Sequence, residues 1–143
     1  MIVSIPYKVA ILDDDHFHRK VLERLCGAFP WVKTYSYAYP SEALEAIQQE
    51  RIPIVLVDIN MPGMYGDDVL RHCMALKQGI QVYVITGAEN MVIANRCLDL
   101  GARIIIRKPV TDEVIAEALQ DAKIHLDRCS DTIKKFARRK KEV

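Results

Sequence analysis

Short apolar runs alternate along the chain with segments in which apolar residues return every three or four positions. Val9-Ala10-Ile11-Leu12 is closed by Asp13-Asp14-Asp15, the profile of a buried strand that runs into a polar loop. From His16 to Cys26, the residues Phe17, Val21, Leu22 and Leu25 recur at helical spacing, with Asp15 placed as the N-cap and Gly27 as the stop. Residues 32–37 mix β-branched and aromatic side chains and predict a second strand. Ser41 is placed to cap a helix through Ala43, Leu44 and Ile47. Ile54-Val55-Leu56-Val57 is apolar on both faces, as a central parallel strand must be. A loop with Pro62, Gly63 and Gly66 leads into a helix carrying Val69, Leu70, Cys73 and Leu76. Residues 81–86 predict a fourth strand, residues 90–100 a fourth helix stopped by Gly101, and residues 103–107 a fifth strand ending in Lys108-Pro109. From Thr111 a helix runs on with no Gly or Pro to interrupt it. Strands alternating with helices in this way predict an α/β fold, a doubly wound parallel sheet with right-handed crossovers and helices on both faces.

The last helix is longer than such a sheet requires. Ile115, Leu119, Ala122, Leu126, Cys129, Ile133 and Phe136 follow alternating steps of four and three, a heptad seam. A cover helix of about three to four turns would end near residue 122. The expected organisation is therefore a domain over residues 1–122 and a helical extension over residues 123–143, with the seam as a candidate coiled-coil linker that pairs two copies or leads to a further module. The basic end, Lys134-Lys135 and Arg138-Arg139-Lys140-Lys141, reads as a solvated helix terminus rather than a nucleic-acid contact.

In a doubly wound sheet, ligands bind at the carboxyl ends of the strands. Those ends deliver Asp13, Asp14 and Asp15 from the first strand, Asp58 from the third, Thr86 from the fourth and Lys108 from the fifth. Clustered carboxylates repel unless a cation neutralises them, and hard oxygen ligands suit Mg²⁺. A lysine and a hydroxyl beside that ion could bind phosphoryl oxygens, because phosphoryl transfer depends mostly on positioning and charge stabilisation. The central carboxylate can then act as the nucleophile. Asp15 is better placed as a helix cap than as a ligand. His16 and His18 flank the acidic run but sit two apart on a helix and point in different directions, which predicts solvated or packing roles. Trp31, Tyr35, Tyr37 and Tyr39 read as a half-buried strand and its rim rather than a stacking platform.

Taken in order, these parts resemble the receiver domains of two-component response regulators. Ile11-Leu12-Asp13-Asp14-Asp15 is similar to that family's acidic cluster, with Asp13 and Asp14 on its metal-site pair. Asp58-Ile59-Asn60-Met61-Pro62-Gly63-Met64-Tyr65-Gly66 matches the loop D-x-x-M-P-x-x-x-G around the phosphorylated aspartate. Thr86-Gly87-Ala88 resembles the hydroxyl-plus-small-residue step, and Gly101-Ala102 through Lys108-Pro109 resembles the segment G-A-x-x-x-x-x-K-P. The resemblance covers residues 7–122. It implies a flavodoxin-like strand order 2-1-3-4-5 and a phosphoryl group accepted on Asp58 from a sensor histidine kinase or phosphotransfer protein. It also implies catalytic support from Thr86 and Lys108, and Mg²⁺ held by Asp13, Asp14, Asp58 and the backbone carbonyl of Asn60. Such a chain is a signalling phosphoacceptor that catalyses only its own phosphorylation and dephosphorylation. One departure stands out: the family carries Tyr or Phe three residues before the lysine, a ring that swings inward on activation, whereas this chain has Ile105. Signal transmission is then expected to rest on Thr86 and on shifts of the fourth helix.

Composition narrows the remaining choices. A chain of 143 residues, 50% hydrophobic and 27% charged, is of the size and balance of one globular domain with a modest extension. A net charge of +1 gives no general reason to expect nucleic-acid or membrane-surface binding. Cys26, Cys73, Cys97 and Cys129 are widely spaced, as free thiols of a reducing compartment, and the first residues do not form a leader, so a cytoplasmic location is expected. Two other functions fit parts of the chain. Asp13-x-Asp15 resembles the signature of an aspartate-nucleophile phosphohydrolase but leaves Asp58 and its loop unexplained. Ile105 would be at home in a phosphorylation-independent interaction or dimerisation module.

Overall fold

The computed structural model describes residues 5–61, 66–87 and 91–142. The predicted stretches Pro62-Gly63-Met64-Tyr65, Ala88 and Asn90 lie outside the described residues. The elements run β1 (Tyr7–Leu12), α1 (His16–Cys26), β2 (Val32–Tyr37), α2 (Pro40–Glu50), β3 (Ile54–Asp58), α3 (Gly66–Ala75), β4 (Gln81–Thr86), α4 (Met91–Asp99), β5 (Ile104–Arg107) and α5 (Asp112–Glu142). The strands form one parallel sheet in the order β2-β1-β3-β4-β5, the expected doubly wound arrangement.

Alternation along the strands divides the core in two. Ala10 and Leu12, Val55 and Val57, and Val82 and Val84 face α2, α3 and α4. Val9 and Ile11, Ile54 and Leu56, Tyr83 and Ile85, and Ile106 face α1 and α5. β3 and β4 are buried at every position, which is why they read as unbroken apolar runs.

One helix start and the buried face of another helix differ from expectation. α2 begins at Pro40, not after a Ser41 cap: Tyr39 occupies the N-cap position without a side-chain bond, and Pro40 supplies the first-turn φ where no N–H is needed. In α1, Asp15 caps as expected, accepting from the backbone N–H groups of Phe17 and His18. Phe17, however, is 78% exposed. Leu22 and Cys26 are the buried positions, and His18 precedes them by one turn, so the inward stripe is 18-22-26 and Phe17 lies beside it.

α5 is packed further along than the seam alone predicted. Ile115, Leu119, Ala122 and Leu126 are all buried in the α1/α5 side of the core, so an expected domain boundary after residue 122 falls inside packed helix. Two buried tyrosines pin the same helix to the sheet. The Tyr7 hydroxyl donates to Asp127 at 2.5 Å and the Tyr83 hydroxyl to Asp121 at 2.7 Å. Burial, reinforced by the carboxylate neighbour, pushes both phenols above their ordinary range. Burial opposes ionisation of Asp121, yet bonds from Arg103 and Tyr83 hold its carboxyl below the usual value. Lys123 and Tyr7 do the same for Asp127. Beyond this brace, residues 131–140 are exposed.

A stability comparison within α5 tests where the packed domain stops. Leu126→Ala should lower unfolding stability by about 2–4 kcal/mol in urea titration, whereas Ile124→Ala should stay within about 0.5 kcal/mol. Equal losses would contradict the packing of Leu126 against the sheet.

Candidate functional site

Strand register brings the predicted residues to one edge. Leu12 pairs with Val57, so Asp13 lies next to the end of β3, where Asp58 pairs with Ile85 of β4. Thr86 pairs with Arg107, and Lys108 follows it off β5. Asp13, Asp58 and Lys108 continue the alternation that faces α1 and α5.

Asp58 is 4% exposed, at the end of a strand otherwise apolar throughout. Lys108 donates from Nζ to Asp58 Oδ2 at 2.9 Å, and the backbone N–H of Asn60 donates to Oδ1 at 3.1 Å. A carboxylate this buried requires such partners, since an unpaired charge there would cost several kcal/mol. Asp13 is buried as well, and its Oδ1 accepts the backbone N–H of Asp15 at 2.9 Å. Arg19 donates from its guanidinium to the Asp13 carbonyl at 2.8 Å. Thr86 is buried at its strand end, and its carbonyl accepts the backbone N–H of Lys108 at 2.9 Å. Asp14 and Asn60 are exposed at the rim of the same edge.

The sequence reading missed one member of this group. The ring of His18, expected to be solvated or merely packed, makes a short contact from Nδ1 to Asp13 Oδ2. A nitrogen of this ring and carboxylate oxygens of Asp13 and Asp58 all lie within 4.8 Å of one another. The available signal was helical register, because His18 stands one turn before Leu22 on the inward stripe.

The donor chemistry fits a divalent cation. Asp13 and Asp58 are both held out of water, Lys108 offsets the charge of Asp58, and an oxygen-rich set suits Mg²⁺. The cysteines take no part: Cys26 and Cys73 are buried, and that burial pushes their thiols up to about 12.

Residues 9–120 match the family model for the response regulator receiver domain. The chain belongs to that family. Over 122 residues this receiver domain is 35% identical to the transcriptional regulatory protein FixJ of Rhizobium meliloti, a match covering 84% of this chain and 58% of FixJ. Over 113 residues it is 26% identical to sporulation initiation phosphotransferase F of Bacillus subtilis, covering 79% and 90% of the two chains. Of two longer relatives it spans only 38% and 33%. Its fold matches a CheY-like receiver domain from Methanospirillum hungatei with a TM-score of 0.79 at 24% identity, over 87% of this chain and 98% of that one.

Glycines in the receiver loops have unequal structural duties. A Cβ on Gly66 would stand 2.6 Å from Ile59 Cα and 2.9 Å from the Asp58 carbonyl oxygen, so any side chain would displace the backbone that presents Asp58. The nearest atoms to a Cβ on Gly87 belong to the flexible Lys108 side chain, at 3.3 Å. Gly66→Ala should therefore cost about 1–3 kcal/mol of stability, and Gly87→Ala less than about 1 kcal/mol, in thermal or urea unfolding. The reverse order would show that Gly66 does not sit against Asp58 and Ile59 in this way.

Proposed function

We propose that this receiver domain accepts a phosphoryl group on Asp58 from a sensor histidine kinase or phosphotransfer protein in the cytoplasm. The observation that carries the reading is the buried Asp58 carboxylate, 2.9 Å from Lys108 and beside Asp13 at the adjoining strand end. An Asp58 oxygen attacks the donor phosphorus; the bond from phosphorus to the donor nitrogen breaks, and its electron pair stays with the leaving imidazole. Lys108, bonded to Asp58, would receive phosphoryl oxygens as a cation, and Thr86, buried at the neighbouring strand end, would do so as a hydroxyl donor. Asp13, Asp14, Asp58 and the Asn60 carbonyl would hold Mg²⁺, which when bound supplies charge neutralisation for the incoming group. No helix among the described residues is long and apolar enough to cross a membrane, which agrees with this setting.

The output runs through α4, β5 and α5. Ile105 is half-buried against the α2–α4 side of the core and has no ring to rotate, so coupling falls to Thr86 and to displacement of α4. With Mg²⁺ and a small-molecule phosphodonor, intact mass should show one phosphoryl adduct on the wild type and none on Asp58→Ala. Asp13→Ala should lose most of the adduct through loss of the ion. An adduct that persists in Asp58→Ala, or none on the wild type, would remove this reading.

The partner proposed for the end of α5 is a second copy of the chain. Ile133 is 40% and Phe136 65% exposed, and both continue the heptad steps of the buried part of the helix. Sedimentation at high micromolar concentration should show a dimer that Phe136→Asp dissociates. A wild type that stays monomeric with and without phosphorylation would sink the pairing.

A further inference from the structure

His18 belongs to no part of the proposed phosphoryl chemistry, yet it reaches the most buried acid of the site. We propose that its imidazole is a nitrogen ligand of the cation site, so that the site, beside accepting Mg²⁺, gains affinity for borderline divalent ions such as Co²⁺ and Zn²⁺. This inference rests on the reading that Asp13 and Asp58 hold a cation.

Three observations carry it. A ring nitrogen of His18 and oxygens of Asp13 and Asp58 lie within 4.8 Å of one another. An ion with bonds of about 2.1 Å spaces its ligands up to about 4.2 Å apart, so the three atoms need little movement to share one centre. The ring is also fixed rather than free. His18 sits in the first turn of α1, its backbone N–H is bonded to the Asp15 cap, and Leu22 and Cys26 bury the same stripe. Finally, the arrangement is selective: His16, two residues earlier, is exposed and bonded to Arg19 instead.

An imidazole nitrogen is a poor ligand for Mg²⁺, which demands near-ideal oxygen geometry and keeps its waters. Across the first-row divalent ions, a nitrogen added to carboxylates raises affinity in the order Mn²⁺, Co²⁺, Zn²⁺. The competing role for His18 is purely positional, with Nδ1–H donating to Asp13 and orienting that carboxylate. The two roles separate experimentally, because a glutamine amide can also donate to Asp13.

The wild-type chain, His18→Gln and His16→Gln should be loaded with Mn²⁺ and examined by pulsed electron paramagnetic resonance for ¹⁴N coupling. Calorimetry should give Co²⁺ and Mg²⁺ affinities alongside. Ligation predicts ¹⁴N coupling in the wild type and in His16→Gln but not in His18→Gln. It also predicts Co²⁺ binding weakened at least ~10-fold in His18→Gln, with Mg²⁺ binding changed by less than about twofold. Bound Mn²⁺ without ¹⁴N coupling, coupling lost in His16→Gln instead, or equal weakening of Co²⁺ and Mg²⁺ would each overturn the inference while leaving the cation site standing. A wild type that binds none of these ions would remove both the inference and the cation site beneath it.

Discussion

Two carboxylates, Asp13 and Asp58, are kept out of water at adjacent strand ends, and the carboxyl edge of the sheet is arranged around that constraint. Buried charge is tolerated only where every oxygen finds a partner. Asp58 obtains one from β5, 50 residues away in sequence, and one from the turn that follows it. Asp13 obtains its own from the Asp15 N–H and from His18. Three of these partners are local, but Lys108 comes from the far side of the sheet, so Asp58 is satisfied only when β3, β4 and β5 are assembled in order. Gly66 belongs to the same requirement, because its N–H returns to the Ile59 carbonyl at 2.8 Å and closes the chain directly over the end of β3.

The sheet is braced along α5 by a different device. Tyr7 and Tyr83 are buried yet polar-tipped, and each hands its hydroxyl to an aspartate on that helix. Each of those aspartates is in turn paired with a basic neighbour, Lys123 or Arg103. The helix is thereby fixed to β1 and β4 together, and the direction in which residues 131–140 leave the domain is set by the sheet. A helix held only by its apolar stripe could roll; one with two directional bonds nearly two turns apart cannot do so without breaking them.

What the sequence made legible follows from which interactions are local. The apolar runs of β3 and β4 could be read directly because both faces are buried, and the strand-end residues followed from topology alone. Asp15 was legible as a cap because capping is decided within three residues. The start of α2 was not, since Pro40 and Ser41 are both acceptable at a helix start and the choice lay with the backbone entering from β2. The length of α5 in the core was underestimated for a related reason. The heptad steps are identical on both sides of residue 122, and only the sheet decides that Leu126 is covered while Phe136 is not.

His18 shows the same limit at the site itself. Phe17 and His18 are neighbours, and composition favours the phenylalanine as the buried one. The rotation of α1 is decided by Leu22 and Cys26 packing on the sheet, and that rotation carries position 18 inward and leaves position 17 in solvent. A difference of one residue, about 100° of helix, thus determines whether the acidic edge meets an aromatic ring or an imidazole. Motifs at strand ends identify the groups a parallel sheet must gather. The helices packed on that sheet decide what else can reach them, and this second choice is made by apolar contacts remote from the carboxylates.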